Sequence, residues 1–155
     1  MLSEPMSAIA SQRFLGVPVE VHPHLGSTND EAFRRAREGA PEGLVVVAEA
    51  QSAGRGRHGR SWLDSPGQSL LFSILLTPSI PLPSYPLLAL ALAGAIAEAG
   101  REVVGGEPMS VKWPNDVIHR GKKLCGVLAE SRSLAPGTAP LLVIGAGVNG
   151  NQLAN

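Results

Sequence analysis

From Gln51 to Trp62 the sequence reads Gln-Ser-Ala-Gly-Arg-Gly-Arg-His-Gly-Arg-Ser-Trp, which sets Arg55, Arg57 and Arg60 among Gly54, Gly56 and Gly59. No acidic residue interrupts it. Over the whole chain 13 Lys and Arg balance 13 Asp and Glu, so this run is a local concentration of positive charge. Guanidinium forks suit phosphate and carboxylate oxygens, and glycines let the backbone approach a ligand closely. The competing reading is a flexible, solvated surface loop.

Sharper readings of the run can be weighed. Gly54, Gly56 and Gly59 spell G-x-G-x-x-G, but a dinucleotide fingerprint needs a helix to open at the last glycine. Here Pro66-Gly67 breaks the chain soon after, so no long helix starts there. The Gly-Lys-Ser/Thr ending of a Walker loop is missing, as are the companion motifs of a kinase. RNA-binding Arg-Gly segments are repetitive and low in complexity, whereas this one lies between two apolar runs. What remains is an anion-gripping loop within a folded domain.

Other stretches also carry polar chemistry. Ser27, Thr28 and Asn29 open a helical pattern, and Thr28 with Glu31 has capping-box spacing. They are either plain caps or small hydrogen-bonding groups around free amides, suited to a polar, uncharged ligand group. Lys112-Trp-Pro-Asn-Asp116 reads as a strand that Pro114 ends, handing Asn115 and Asp116 to a turn. Lys123 opens the next apolar strand, with Lys123, Cys125 and Val127 on one face. Lys123 is either a snorkelling surface lysine or, beside Gly126, a charge for a negatively charged intermediate. Trp62 is either core or a face on which a purine base stacks. Cys125 reads as buried filler.

The elements that position these groups follow from pattern. Residues 17–22 read as a short edge strand, 28–37 as a helix closed by Gly39 and Pro41, and 44–48 and 69–76 as strands flanking the arginine run. A helix capped by Ser84 and stopped by Gly100 is apolar on every side from 86 to 97, hence buried. Those twelve residues fall short of the roughly 20 that cross a bilayer, which argues against a membrane. Residues 141–149 form a last strand, whose glycines permit close approach to a ligand. The fold class is α+β, with a mixed, largely antiparallel sheet. A single cysteine excludes an internal disulfide and fits a reducing cytoplasm; His22, His24, His58 and His119 lack metal-ligand spacing. Residues 1–12 do not read as a signal peptide.

The order and spacing of Ser27-Thr-Asn-Asp30, Gln51 with the glycine–arginine run, Lys112-Trp-Pro-Asn-Asp116 with Lys123-Leu-Cys-Gly-Val-Leu128, and Gly145-Ala-Gly-Val-Asn149 resemble the biotin protein ligases. The resemblance spans residues 14–150. It implies the fold shared with class II aminoacyl-tRNA synthetases, and an ATP-dependent ligase that makes biotinyl-5′-adenylate and passes biotin to a lysine. The acceptor would be the biotin carboxyl carrier domain of acetyl-CoA carboxylase. Mg²⁺ would accompany ATP, with Asp116 orienting it or the incoming amine. Ser27, Thr28, Asn29, Gln51, Arg57 and Lys123 would line the biotin pocket. Arg55, Arg60, Trp62, Lys112, Asn115 and Asn149 would serve the nucleotide. Lys123, Arg57 and Asp116 would carry catalysis.

The resemblance is to the ligase-only type, without a DNA-binding helix-turn-helix, and it allows a homodimer. Residues 1–13 are expected as a poorly ordered lead-in, and 14–155 as a catalytic domain incomplete at its C-terminal end. The alternatives are a lipoate-type ligase or transferase of the same fold, and a biotin- or nucleotide-binding module without full activity.

Overall fold

The computed structural model describes residues 13–14, 16–63 and 67–150. The lead-in expected over 1–13 lies outside them, except that Arg13 opens a strand.

Alternation along the strand Ser69–Leu76 shows how the molecule is layered. Leu71, Ser73 and Leu75 are buried towards one side, while Phe72 and Leu76 pack on the other. Both faces are covered because a helix lies on each. The strands are β1 (Arg13–Phe14), β2 (Val17–His22), β3 (Val45–Ala48), β4 (Ser69–Leu76), β5 (Met109–Lys112), β6 (Asp116–His119), β7 (Lys122–Arg132) and β8 (Leu141–Asn149). They form one eight-stranded sheet in the order β1-β2-β3-β4-β8-β7-β6-β5. Only β2 and β3 run parallel; the other neighbours are antiparallel. The short β1 covers β2, so the predicted edge strand is one place in from the edge.

Helix α1 (Thr28–Arg37) buries Ala32, Phe33 and Ala36 against Leu44, Val46, Leu75 and Val143. Helix α2 (Tyr85–Val103) sets Tyr85, Ala89, Ala93 and Ala97 on the opposite face, against Val117, Cys125, Val127, Leu142 and Ile144.

Three expectations need correction. The capping box is not formed: Ser27 is the N-cap without a side-chain bond, the Thr28 hydroxyl lies between Ser73 and Gln51, and Glu31 pairs with Arg34. Helix α2 is longer than predicted. Gly100 does not stop it, because its missing Cβ leaves room for Met109, whose sulfur would lie 2.7 Å from a Cβ there. Nor is α2 buried all round: Leu87 is 62% exposed, and burial is confined to one stripe. The segment Leu82–Val103 is therefore long and apolar enough to cross a membrane by length and composition, with mean hydropathy 1.4.

The third correction concerns Lys123. Asp116 is not in a turn but opens β6, a strand missed in the sequence, and it lies opposite both Lys112 and Gly126. Val117 pairs with Cys125 and Ile118 with Lys123, so Leu124 is an extra residue, a β-bulge. The bulge reverses the alternation. Cys125 and Val127 face α2, while the Lys123 amine comes round to Gly126 on the α1 side.

On that α1 side, β7 and β8 offer Gly126, Gly145 and Gly147 to the region in front of the α1 N-terminus. Gly126 and Gly147 are direct cross-strand partners, and Gly145 pairs with Ser73 of β4. Three adjoining positions without side chains make a trench in the sheet.

Candidate active site

Two elements fill the trench. A Cβ at Gly147 would lie 2.5 Å from the Trp62 ring, and one at Gly126 2.9 Å from it. A Cβ at Gly145 would lie 2.2 Å from Asn29 Oδ1. These glycines are required by close approach, and any larger residue would expel Trp62 or Asn29.

An inner slot is lined by Ser27, Thr28, Asn29, Gln51, Arg55, Trp62 and the trench. The chain reaches it because Leu25 bridges to Gln51, with Leu25 N–H donating to Ala50 and Ser52 N–H to Leu25. That bridge fixes Gln51 beside the helix start. Its Oε1 accepts from the Thr28 N–H at 2.7 Å and stands 3.0 Å from the Thr28 hydroxyl. Ser27, Thr28 and Asn29 are buried, and Thr28 is oriented by these bonds rather than by water. Among the described residues, Arg55 is the one charged group that lines the slot.

Arg55 is held firmly. Its guanidinium donates to both oxygens of Asp30, at 2.7 and 2.9 Å, and to Glu130 at 3.0 Å. Arg132 adds a bond to Asp30 at 2.9 Å. The Arg55 hydrogen bond, chiefly, holds the Asp30 carboxyl below its ordinary range, with partial burial opposing; the same pair raises Arg55.

On the other side of Trp62 lies a cavity of about 280 Å³, lined by Arg57, His58, Arg60, Trp62, Asn115, Asp116, Lys123 and Gly126 among others. The arginine run crosses it as a tight hairpin: Arg55 bridges Ser61, Gly56 N–H donates to Arg60 O, and Trp62 N–H donates to Gly54 O. Among the described residues, the run holds a single turn of 3-10 helix at Arg57–Gly59 and no longer helix opens at its last glycine. Arg57 reaches Asn115 Oδ1 at 3.5 Å, and Asn115 is itself anchored through Nδ2 to Val127 O. Lys123 Nζ sits 2.9 Å from Asp116 Oδ1 and 5.6 Å from the centre of the Trp62 ring.

Two predicted residues stand apart. Lys112 is exposed on β5, opposite Asp116, and lines neither cavity. Asn149 ends β8 and donates to Lys123 O at 3.2 Å; its Oδ1, like Trp62 Nε1, is buried with no hydrogen-bond partner. Orphaned polar atoms on this side of Trp62 suit a ligand that hydrogen-bonds. Ser73, Asp30, Glu130 and Arg132 belong to the site but were missed. Asp30 stands in the Ser27-Thr-Asn-Asp30 motif already quoted, but was given no role there. Ser73 and Glu130 lie in strands far away in sequence.

A mixed sheet with one helix on each face, and a polar slot opening past a tryptophan into an arginine-lined cavity, defines an α+β domain built to hold a small molecule. Residues 23–149 match the biotin/lipoate A/B protein ligase family, and the chain belongs to that family. It is 36% identical to the bifunctional ligase/repressor BirA of Bacillus subtilis over all of this chain and 49% of that protein. It is also 36% identical to the biotin–[acetyl-CoA-carboxylase] ligase of Mycobacterium tuberculosis, over 86% of this chain and 50% of that one. The structure superposes on the Aquifex aeolicus biotin protein ligase in complex with biotin and ATP with a TM-score of 0.68 and 36% identity, over 88% of this chain and 54% of that chain. The α+β, largely antiparallel fold expected from the sequence is thus the fold of the biotin protein ligases. The chain spans about half the length of the curated relatives it matches.

Proposed function

We propose that this chain is the biotin-activating part of an ATP-dependent biotin protein ligase. The observation that carries the reading is the division of the site by Trp62. A polar slot whose one charged lining group is the ion-paired Arg55 lies on one side and a cationic cavity on the other, with Arg55, Gly126 and Leu128 common to both. Such a division suits an acid with an uncharged polar head, whose carboxylate must reach a nucleotide phosphate.

The slot, through Ser27, Thr28, Asn29 and Gln51, holds the biotin ring; the cavity, through Arg57, Arg60 and Lys123, gathers the carboxylate and the phosphates. Two anions approach each other only if their repulsion is offset, and positive groups set in advance around the reacting centre do this without reorganisation. Lys123 stands nearest that centre, and Trp62 offers its other face to adenine. Lys112 and Asn149 serve the nucleotide from the rim. Mg²⁺ would supply further neutralisation of the phosphates. Asp116 is the carboxylate in the cavity and is engaged by Lys123, so the ion would be carried mainly by ATP.

The acceptor is a lysine on the biotin carboxyl carrier domain of acetyl-CoA carboxylase, in the cytoplasm. Past Gly126 no described strand pairs with β7 on its β6 side, where Val127 is met only by Asn115. That open edge, beside the exposed Trp113, is where a carrier domain or a second copy of the ligase would add.

The test is ATP–pyrophosphate exchange. Exchange that requires biotin is the expected result. Exchange with lipoate instead would move the chain to the lipoate ligases. Calorimetric biotin binding without exchange would leave it a binding module.

A further inference from the structure

Ser73 is a fully buried hydroxyl in the middle of β4, at the register position of Gly145 and behind the inner slot. Its Oγ lies 2.7 Å from Thr28 Oγ1 and 2.6 Å from Asn29 Oδ1. One hydroxyl proton cannot serve both. Asn29 Nδ2 is committed to Glu130 Oε2 at 2.7 Å, which turns Oδ1 onto Ser73 and over Gly145. That Oδ1 therefore takes the Ser73 proton, and the Thr28–Ser73 contact is left to the Thr28 proton. Thr28 Oγ1 also lies 3.0 Å from Gln51 Oε1, the longest of the three hydroxyl contacts. Gln51 Oε1 already accepts the Thr28 N–H at 2.7 Å, so this is the contact left without a proton. The result is a chain in one direction, from Thr28 to Ser73 to Asn29 to Glu130.

We propose that Ser73 is a positioning residue for ligand recognition in the slot, setting which atoms of Thr28 and Asn29 meet the uncharged cyclic urea of the ligand. This rests on the biotin reading above. With its proton drawn back to Ser73, Thr28 presents a lone pair to the slot and accepts a ligand N–H. With Oδ1 held by Ser73 and Nδ2 by Glu130, the Asn29 amide is fixed against rotation. Glu130 Oε2 also takes Arg55 at 3.0 Å, so the chain that orders the slot ends on the anchor of the arginine run. Ser73 touches no ligand in this arrangement. It acts through the two side chains that do.

Ser73→Thr and Ser73→Val separate the hydroxyl from packing, since the two side chains share one shape and differ only in that group. Biotin affinity of this chain is measured by calorimetry for both variants and for the wild type. Ser73→Thr is expected to bind biotin roughly tenfold more tightly than Ser73→Val, the scale of leaving buried polar groups unpaired. Equal affinity in the two would overturn the proposal, because a merely structural role moves both alike. If thermal unfolding shows that neither variant folds, Ser73→Ala replaces them, with a loss of at least about fivefold expected and an unchanged affinity overturning the proposal. A wild type that fails to bind biotin removes the biotin reading itself, and this inference with it.

Discussion

Lys123 and Asp116 face each other across the β6–β7 pair, Nζ to Oδ1 at 2.9 Å, with the lysine 44% exposed and the aspartate 24%. The contact exists because the Leu124 bulge swings Lys123 off the face that Cys125 and Val127 share. A half-exposed ion pair of this kind contributes little stability. It does hold the amine in the cavity, and an incoming phosphate can take over the charge. Replacing Lys123 with Met keeps the stem and removes the charge. The natively expressed protein carrying Lys123→Met should form biotinyl-adenylate about 10²–10³ times more slowly, with stability altered by less than about 1 kcal/mol. Wild-type adenylation in a single-turnover assay would shift the role to Lys112.

The trench predicts a spectroscopic result. Gly147→Ala puts a Cβ where the Trp62 ring lies, so the ring must leave. The cost should be about 1–3 kcal/mol, as for other overpacked positions. Trp62 emission should shift to the red, against the steady background of Trp113, which is already 78% exposed. Emission identical to wild type would mean that the sheet yields instead of the ring.

Asp30 gives a dependence on pH. Its pairing with Arg55 holds the carboxyl below its ordinary value, so the folded form binds a proton less readily than the unfolded form. The stabilisation is therefore complete above the unfolded pKa, near 4, and is lost as pH falls through the lower folded value. Asp30→Asn should unfold at a slightly lower temperature than wild type at pH 7, by the equivalent of about 1 kcal/mol or less. The gap should close between roughly pH 5 and pH 2. A gap that held constant over that range would show that Asp30 does not titrate with Arg55.

Cys125 should be inert. It is fully buried against α2, and burial pushes its thiol up to about 12, so almost no thiolate forms near neutrality. An aromatic disulfide reagent should leave the native protein unmodified for hours and react at once in denaturant. Fast native labelling would mean that α2 lifts from the sheet.

The arginine run should order in two parts. Arg55 is pinned by Asp30 and Glu130, whereas among the described residues Arg57 makes a long contact to Asn115 and no ion pair. Amide exchange from 56 to 60 should slow when a stable biotinyl-adenylate analogue is added, and that at Arg55 should change little. Uniform slowing through Arg55 would mean that the anchor also releases.

Much of the architecture was legible because it is periodic or punctuated. The apolar run in 69–76 and the Gly39 stop each follow from local chemistry. The clustering of Ser27, Thr28, Asn29 and Gln51 came instead from the resemblance, which joined their motifs. What was not legible depends on register between distant strands. Nothing local marks Leu124 as a bulge, so Lys123 was put on the wrong face. Nothing in Ser-Leu-Leu-Phe-Ser-Ile-Leu-Leu marks Ser73 as different from Ser69, until β8 brings Gly145 beside it. Gly100 read as a helix stop because the sequence cannot say that Met109 lies across it.

The trench has a thermodynamic consequence. Glycines inside strands are among the weakest residues a sheet can contain, giving up more chain entropy on folding and offering nothing to pack. At Gly126, Gly145 and Gly147 the sheet therefore lacks its own stabilising side chains where the candidate site lies. Trp62 and Asn29 cover those positions from neighbouring segments, and a ligand bound beside them adds its binding energy to folding by mass action. Unfolding free energy should then climb with the logarithm of ligand concentration, by about 1.4 kcal/mol for each tenfold excess over the dissociation constant, and the melting temperature with it. The fold and its small molecule would complete one another, with the protein at its firmest when the site is full.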